Sequence, residues 1–206
     1  GRTLRDSHKI DHSKVTYKLG DLSAPRFVDE LLKDTSHIVH AAALSSPWGK
    51  YKEFERANLI TQKNLIESAA KNRIERFVFI STPSMYFEIK DKFGVKESDP
   101  LPKKFINAYA ETKRRAELEL EKSGIPYIVL RPRALTGRGD TVIMPRLIRA
   151  YDEGRLKMIG TGENIADLTS VANVADAIWL SLTADQKALN QVYNITNGEP
   201  GKLWDS

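Results

Sequence analysis

Short apolar runs, rich in β-branched and aromatic residues, alternate with helix-length stretches through most of this chain. The clearest runs lie at residues 15–19, 36–42, 76–80 and 126–130. Arg76-Phe77-Val78-Phe79-Ile80 is almost continuously apolar, which suits a strand covered on both faces. Between the runs fall a stretch at 25–33 with Pro25 at its first turn, a long one at 51–72, and a third at 107–122. The third stops at Ser123-Gly124, where a glycine can end a helix in the left-handed conformation. Strand and helix taken in turn make a parallel sheet with helical crossovers, so the expected fold class is α/β.

The remainder of the chain divides at about residue 134. Residues 87–106 carry Gly94, Pro100 and Pro102 among scattered charges and read as a long loop, a length that compact domains commonly reserve for function. After Arg131-Pro132 come a turn-like Thr136-Gly137-Arg138-Gly139-Asp140 and a helix at 144–151 that ends by Gly154. A strand at 156–159, a helix at 172–182 and a last strand at 191–195 follow. Residues 1–133 therefore read as one α/β domain. Residues 134–206 read as a smaller lobe that partly returns to it.

Composition narrows the functional classes. The chain has 206 residues, 41% hydrophobic and 29% charged, which is ordinary for a globular domain and too apolar for disorder. No apolar run approaches the length of a helical membrane span, and no basic-then-apolar leader is recognisable. With no cysteine, disulfides, zinc–thiolate sites and a cysteine nucleophile are excluded, and a reducing, cytoplasmic setting is expected. The net charge of +5 is spread along the chain and reads as a solvated surface, so no nucleic-acid partner is expected. His8, His12, His37 and His40 form no metal-ligand set, and no metal is expected.

Two tyrosines are followed four residues later by a lysine: Tyr86/Lys90 and Tyr109/Lys113. The second pair opens a helical stretch, so i,i+4 spacing puts both side chains on one face. A phenol with a reference pKa near 10 is a poor acid–base at neutral pH. A nearby ammonium favours the phenolate and brings it toward the working range. A surface tyrosine beside a solvated lysine is the plainer alternative. The run at 76–80 leads into Ser81, Thr82 and Ser84, hydroxyls at the carboxyl end of a parallel strand, where open α/β sheets bind ligands. Thr82 or Ser81 can there donate to a substrate oxygen, although turn chemistry also explains such residues. Phe54, Asn58, Thr61 and Leu65 share one helical stripe, and a buried Asn58 without partners would cost about 1–3 kcal/mol. A structural hydrogen bond accounts for Asn58 as well as catalysis does.

These residues, in this order, resemble the extended short-chain dehydrogenase/reductases, which include nucleotide-sugar epimerases and 3β-hydroxysteroid dehydrogenase-like enzymes. Gly20-Asp21-Leu22, His40-Ala41-Ala42-Ala43, Asn58, Ile80 to Tyr86, Tyr109 with Lys113, and Leu130-Arg131-Pro132-Arg133 are each similar to a family segment. Downstream, Gly160-Thr161-Gly162-Glu163-Asn164, Asn173-Val174-Ala175-Asp176-Ala177 and residues 193–200 look like the 3β-hydroxysteroid dehydrogenase-like branch. Ala134 stands where sugar-nucleotide enzymes often carry Asn. Phe87 and Arg138 depart from the family's usual Gly and Pro. The resemblance implies a Rossmann-like parallel sheet, N-terminally incomplete, with a small C-terminal substrate lobe. Residues 1–133 would bind NAD(P). It implies an NAD(P)-dependent oxidoreductase interconverting a secondary alcohol and a ketone, with a 3β-hydroxysteroid or 3-oxoacyl type of substrate. Tyr109, Lys113, Thr82 and Asn58 would be catalytic. Asp21, Leu22, Ala41, Ala42, Ala43, Ser81, Tyr109, Lys113, Pro132 and Arg133 would line the cofactor, and Ser84 and Ala134 the substrate. A homodimer across the helices at 51–72 and 107–122 is the family habit. The alternatives are a nucleotide-sugar epimerase or dehydratase, a non-catalytic dinucleotide-binding protein, or an inert fragment.

One family motif is missing: no G-x-G-x-x-G occurs, so no residue here is expected to cradle a pyrophosphate. In the usual strand order 3-2-1-4-5-6, residues 15–19 would be the third strand and 36–42 the fourth. Those two touch only through a pair of strands that the sequence does not show, and a fragment of a longer protein is expected. Arg2 would suit a 2′-phosphate, a slight preference for NADP.

Overall fold

In the computed structural model, residues 3–4, 9–140, 143–158, 160–202 and 204 are described. Arg2, His8 and Ile159, each used in the sequence reading, lie outside them. Helix α1 (Pro25–Leu32) starts on a proline and buries Val28 and Leu32. Strand β1 (His37–His40) follows. Helix α2 (Tyr51–Phe54) passes into a π-helical turn (Glu55–Ile60) and then α3 (Thr61–Lys71), with helical dihedrals at both junctions. Strand β2 (Arg76–Ile80) leads to a 3-10 turn (Pro83–Tyr86).

Helix α4 (Ala108–Glu121) is capped by Asn107, whose side-chain oxygen accepts from the Ala110 amide at 2.9 Å. It ends before Gly124, whose φ of 73° is the left-handed conformation. Then come β3 (Tyr127–Pro132), β4 (Leu135–Thr136), α5 (Met144–Asp152), β5 (Ile165–Ala166), β6 (Thr169–Ser170), α6 (Val171–Thr183), β7 (Gln191–Ile195) and β8 (Gly201–Lys202).

The main sheet runs β1-β2-β3-β7 and every pairing in it is parallel. This is a Rossmann-like parallel sheet. Side chains alternate across β2. Phe77 and Phe79 join Val28, Leu32, Leu65, Ala69 and Leu120 on the face under α1, α3 and α4, while Val78 joins Ile128 and Leu130 under α6. Each such fully buried aliphatic or aromatic side chain contributes about 1.5–3 kcal/mol. Arg76 ties the second layer down, donating to the carbonyls of Ser181 at 2.7 Å and Ala184 at 2.8 Å, at the open end of α6.

Two expected strands do not form. Residues 15–19 are irregular and exposed. A β-branched run becomes a strand only against a ladder partner, and among the described residues none pairs with the outer edge of β1. The segment lies instead along a cavity of about 650 Å³ shared with Leu22, Leu32, Ile38 and His40. Residues 156–158 are likewise irregular and exposed. The strand expected at 191–195 forms as β7 and pairs with β3 inside the main sheet. Small pairings of β4 with β6 and β5 with β8 complete the region after residue 134.

Candidate active site

Where β2 ends, the chain turns sharply and its hydroxyls cap the turn. Thr82 is extended and its Oγ1 accepts from the Ser84 amide at 3.1 Å. The same hydroxyl donates to Ser84 Oγ at 2.9 Å. Thr82 and Ser84 thus share one hydrogen bond at the end of β2. Ser81 is buried with an unpartnered Oγ, while its amide donates to Leu130 O at 2.7 Å.

Helix α4 brings three side chains down one face at four-residue intervals: Tyr109, Lys113 and Glu117. Tyr109 is partly exposed near the helix start. Lys113 is 2% exposed, donates from Nζ to Ile80 O at 2.6 Å, and lies 4.0 Å from the Phe79 ring centroid. Burial lowers its pKa from 10.5 to about 7, against the opposing pull of Glu117. Glu117 does not rescue it because Arg131 takes that carboxylate first, through Nε at 2.9 Å and a second nitrogen at 2.5 Å. Arg114 adds a further contact at 2.8 Å.

Arg131 also donates to the Tyr86 hydroxyl, and burial raises the Tyr86 pKa although Arg131 opposes that shift. Tyr86 is therefore a buried strut, and Lys90, its partner in the other Tyr-Lys spacing, pairs with Glu88 in the following loop. Geometry separates the two spacings as helix and loop context suggests.

Asn58 sits in the π-helical turn, a local widening often found at functional sites. Its Oδ1 accepts from the Leu44 amide at 2.8 Å, and its Nδ2 donates to Leu44 O at 3.2 Å and to Thr112 Oγ1 at 3.1 Å. Both amide hydrogens are committed. Asn58 thus clamps the loop after β1 to the first turns of α4. The expected stripe is present, with Phe54, Asn58, Thr61 and Leu65 all buried.

The other expected positions ring the carboxyl ends of the strands. Ala41, Ala42 and Ala43 follow β1 and are exposed. Pro132 is buried at the end of β3, Arg133 is exposed, and Ala134 turns the chain with φ 38°. Asp21 holds its own turn, accepting from the Ser23 amide at 2.9 Å and pairing with Arg56 at 2.8 Å, and Leu22 O accepts from Asn64 at 3.0 Å. His40 is buried, stacked on Phe79 at 5.5 Å, with Nε2 unpartnered. Burial first, then Lys113, lowers its pKa from 6.5 to about 3, so it is neutral at working pH.

Among the described residues no cluster of His, Asp and Glu could hold a metal, and no helix is long and apolar enough to cross a membrane. Sequence reasoning missed the Glu117–Arg131 pair. Its one signal is Glu117 standing four residues beyond Lys113.

The model of the NAD dependent epimerase/dehydratase family matches residues 2–196. The chain belongs to that family. It is 32% identical over 189 residues to a 2-alkyl-3-oxoalkanoate reductase of Stenotrophomonas maltophilia, covering 88% of this chain and 57% of that protein. It is 34% identical over 206 residues to a bovine (Bos taurus) sterol-4-alpha-carboxylate 3-dehydrogenase, decarboxylating, covering 95% of this chain and 57% of that protein. The chain thus spans little more than half the length of these curated relatives. Among solved structures, MoeE5 in complex with UDP-glucose and NAD superposes with a TM-score of 0.76 at 28% identity, over 91% of this chain and 65% of that one.

Proposed function

We propose that this chain carries the catalytic residues of an NAD(P)-dependent oxidoreductase that interconverts a secondary alcohol and a ketone. The observation that carries the reading is the α4 face. Tyr109 stands one turn above a buried lysine that has a single protein acceptor and is anchored to the strand end bearing the hydroxyls. In the direction of reduction, Tyr109 donates the proton to the substrate oxygen while Thr82, through Ser84 or directly, holds that oxygen in place. In its protonated form Lys113 keeps two N–H bonds beyond Ile80 O, which suit the hydroxyls of a ribose. Asn58 fixes the loop after β1 against α4, and Asp21, Leu22, Ala41, Ala42, Ala43, Ser81, Pro132 and the backbone of Arg133 would line the nicotinamide nucleotide. When bound, that nucleotide supplies or accepts the hydride. No residue is assigned to its pyrophosphate, since the chain holds no glycine-rich phosphate motif. NADP over NAD rests on Arg2 alone.

The substrate is read as a lipophilic 3-oxo or 3-hydroxy acid, bordered by Ser84 and Ala134. Both relatives described above are named for substrates with a carboxylate beside the reacting position. A nucleotide-sugar epimerase or dehydratase is the second reading, favoured by the likeness to MoeE5 and opposed by Ala134. We place the protein in the cytoplasm on its lack of cysteine, and a homodimer across the helices at 51–72 and 107–122 follows family habit alone. The test is a fluorescence titration of NADPH and NADH into the chain, followed by turnover of 3-hydroxy acids. Saturable binding with net coenzyme reduction supports the oxidoreductase. Binding with substrate conversion but no net change in coenzyme supports the sugar reading.

A further inference from the structure

Arg133 lies one residue beyond β3, yet its amide still donates to Ile195 O at 3.0 Å, so the ladder holds it extended. Strand alternation therefore returns its side chain to the face used by Arg131, the face that meets α4 at Glu117. Helix α4 joins two parallel strands and so runs antiparallel to them. Stepping back from Glu117 to Lys113 climbs about 6 Å toward the carboxyl ends, and stepping from Arg131 to Arg133 climbs about 6.6 Å in the same direction. Arg133 thus emerges at the carboxyl end of β3, three residues beyond Leu130, which is the register partner of the Ile80 whose carbonyl holds Lys113. Ala134, with φ 38°, then turns the chain away, and its carbonyl accepts from the Thr169 amide at 3.1 Å, which fixes where Arg133 stands.

Among the described residues Arg133 makes no ion pair, and it is exposed. Glu117 is taken by Arg131 and Arg114, and Glu97 accepts the Asn194 amide at 2.6 Å. The hydroxyls of Thr82 and Ser84 are neutral. A site for a neutral ketone has no use for an unpaired guanidinium, whereas a planar fork of N–H donors matches a carboxylate.

We infer that the Arg133 guanidinium binds the substrate carboxylate and selects acids whose carboxylate sits on the carbon next to the reacting one. The inference rests on the alcohol–ketone reading and deepens it. It leaves the backbone of Arg133 beside the nicotinamide and gives the side chain a separate task.

The experiment compares 3-hydroxydecanoate with its methyl ester, using the 206-residue chain and NADP+ or NAD+, in the wild type, Arg133→Met, Arg133→Lys and Arg149→Met. The expected wild-type preference for the acid in kcat/KM is roughly 10- to 100-fold, the scale of a charge-assisted bidentate contact. Arg133→Met collapses that ratio toward one, chiefly through the KM of the acid. Arg133→Lys keeps part of it, and Arg149→Met, on the exposed polar side of α5, leaves it unchanged. Equal use of acid and ester by the wild type overturns the inference and leaves the alcohol–ketone reading standing. So does an Arg133→Met that loses both substrates in the same proportion. A wild type that transfers no hydride with either substrate overturns both.

Discussion

Replacing Lys113 by Met should make the protein more stable near neutral pH, and by an amount that depends on pH in a defined way. Lys113 is 2% exposed, has one hydrogen-bond acceptor at 2.6 Å, and sees Glu117 only after two arginines have neutralised it. Its pKa falls from 10.5 to about 7 in the folded chain, chiefly through burial. Between those values the unfolded chain holds a proton that the folded chain does not, so stability rises with pH across the window. Below pH 7 both states are protonated and the folded state bears the full cost of the buried ammonium, about 5 kcal/mol from the shift. Above 10.5 neither is charged and the cost is gone. Met keeps the apolar stem but gives up the Ile80 hydrogen bond and the Phe79 contact, together about 1–2 kcal/mol. The variant should therefore exceed the wild type by about 3 kcal/mol at pH 6.5, with the difference shrinking by about 1.4 kcal/mol per unit from pH 7.5 upward. Urea midpoints and m-values at pH 6.5, 8 and 9.5 measure it. A difference that stays constant across these three values would refute the reasoning, because it would mean that Lys113 titrates as an ordinary exposed lysine.

His40 works in the acid range. Its folded pKa of about 3 against 6.5 means that stability is whole above pH 6.5 and declines as the pH falls toward 3, so His40→Phe should gain about 2 kcal/mol on the wild type between pH 6.5 and pH 5. Equal urea midpoint differences at both pH values would contradict this. Arg131→Met leaves Glu117 buried with Arg114 alone and should cost about 3 kcal/mol, whereas Arg131→Met with Glu117→Gln should recover most of that loss. Thermal and urea unfolding of the two variants decide the point, and a double variant no better than the single one would show that the pair is not electrostatically coupled.

Much of the frame is legible in the chain because local and tertiary demands agree there. Residues 76–80 read as a buried strand and form β2, since a continuous apolar run has only the centre of a sheet to go to. The Gly124 stop and the Tyr109/Lys113 spacing read as a helix, and α4 forms where they predict it. Residues 15–19 have the composition of a strand and are not one, because composition carries no information on whether a ladder partner is at hand. The widening of the helix at Glu55–Ile60 was likewise illegible, since it accompanies the ties of Asn58 to Leu44 and Thr112, groups far away in sequence. Within the site, the residue types were readable and their engagements were not. Thr82 reads in the sequence as a candidate hydroxyl at a strand end, but only the structure shows its hydrogen bond to Ser84. Arg131 reads as a strand-end arginine, and its capture of Glu117, whose pull on Lys113 is outweighed by burial, depends on how α4 lies across β3.

The central claim is that the α4 face performs acid–base chemistry on an alcohol or ketone. The most direct test follows coenzyme absorbance at 340 nm during oxidation of a 3-hydroxy acid by the wild type and by Tyr109→Phe, with circular dichroism to confirm that both are folded. The account predicts turnover by the wild type and a loss of 10²-fold or more, roughly the contribution of one acid–base group, in the variant. Equal rates in the two proteins would contradict it.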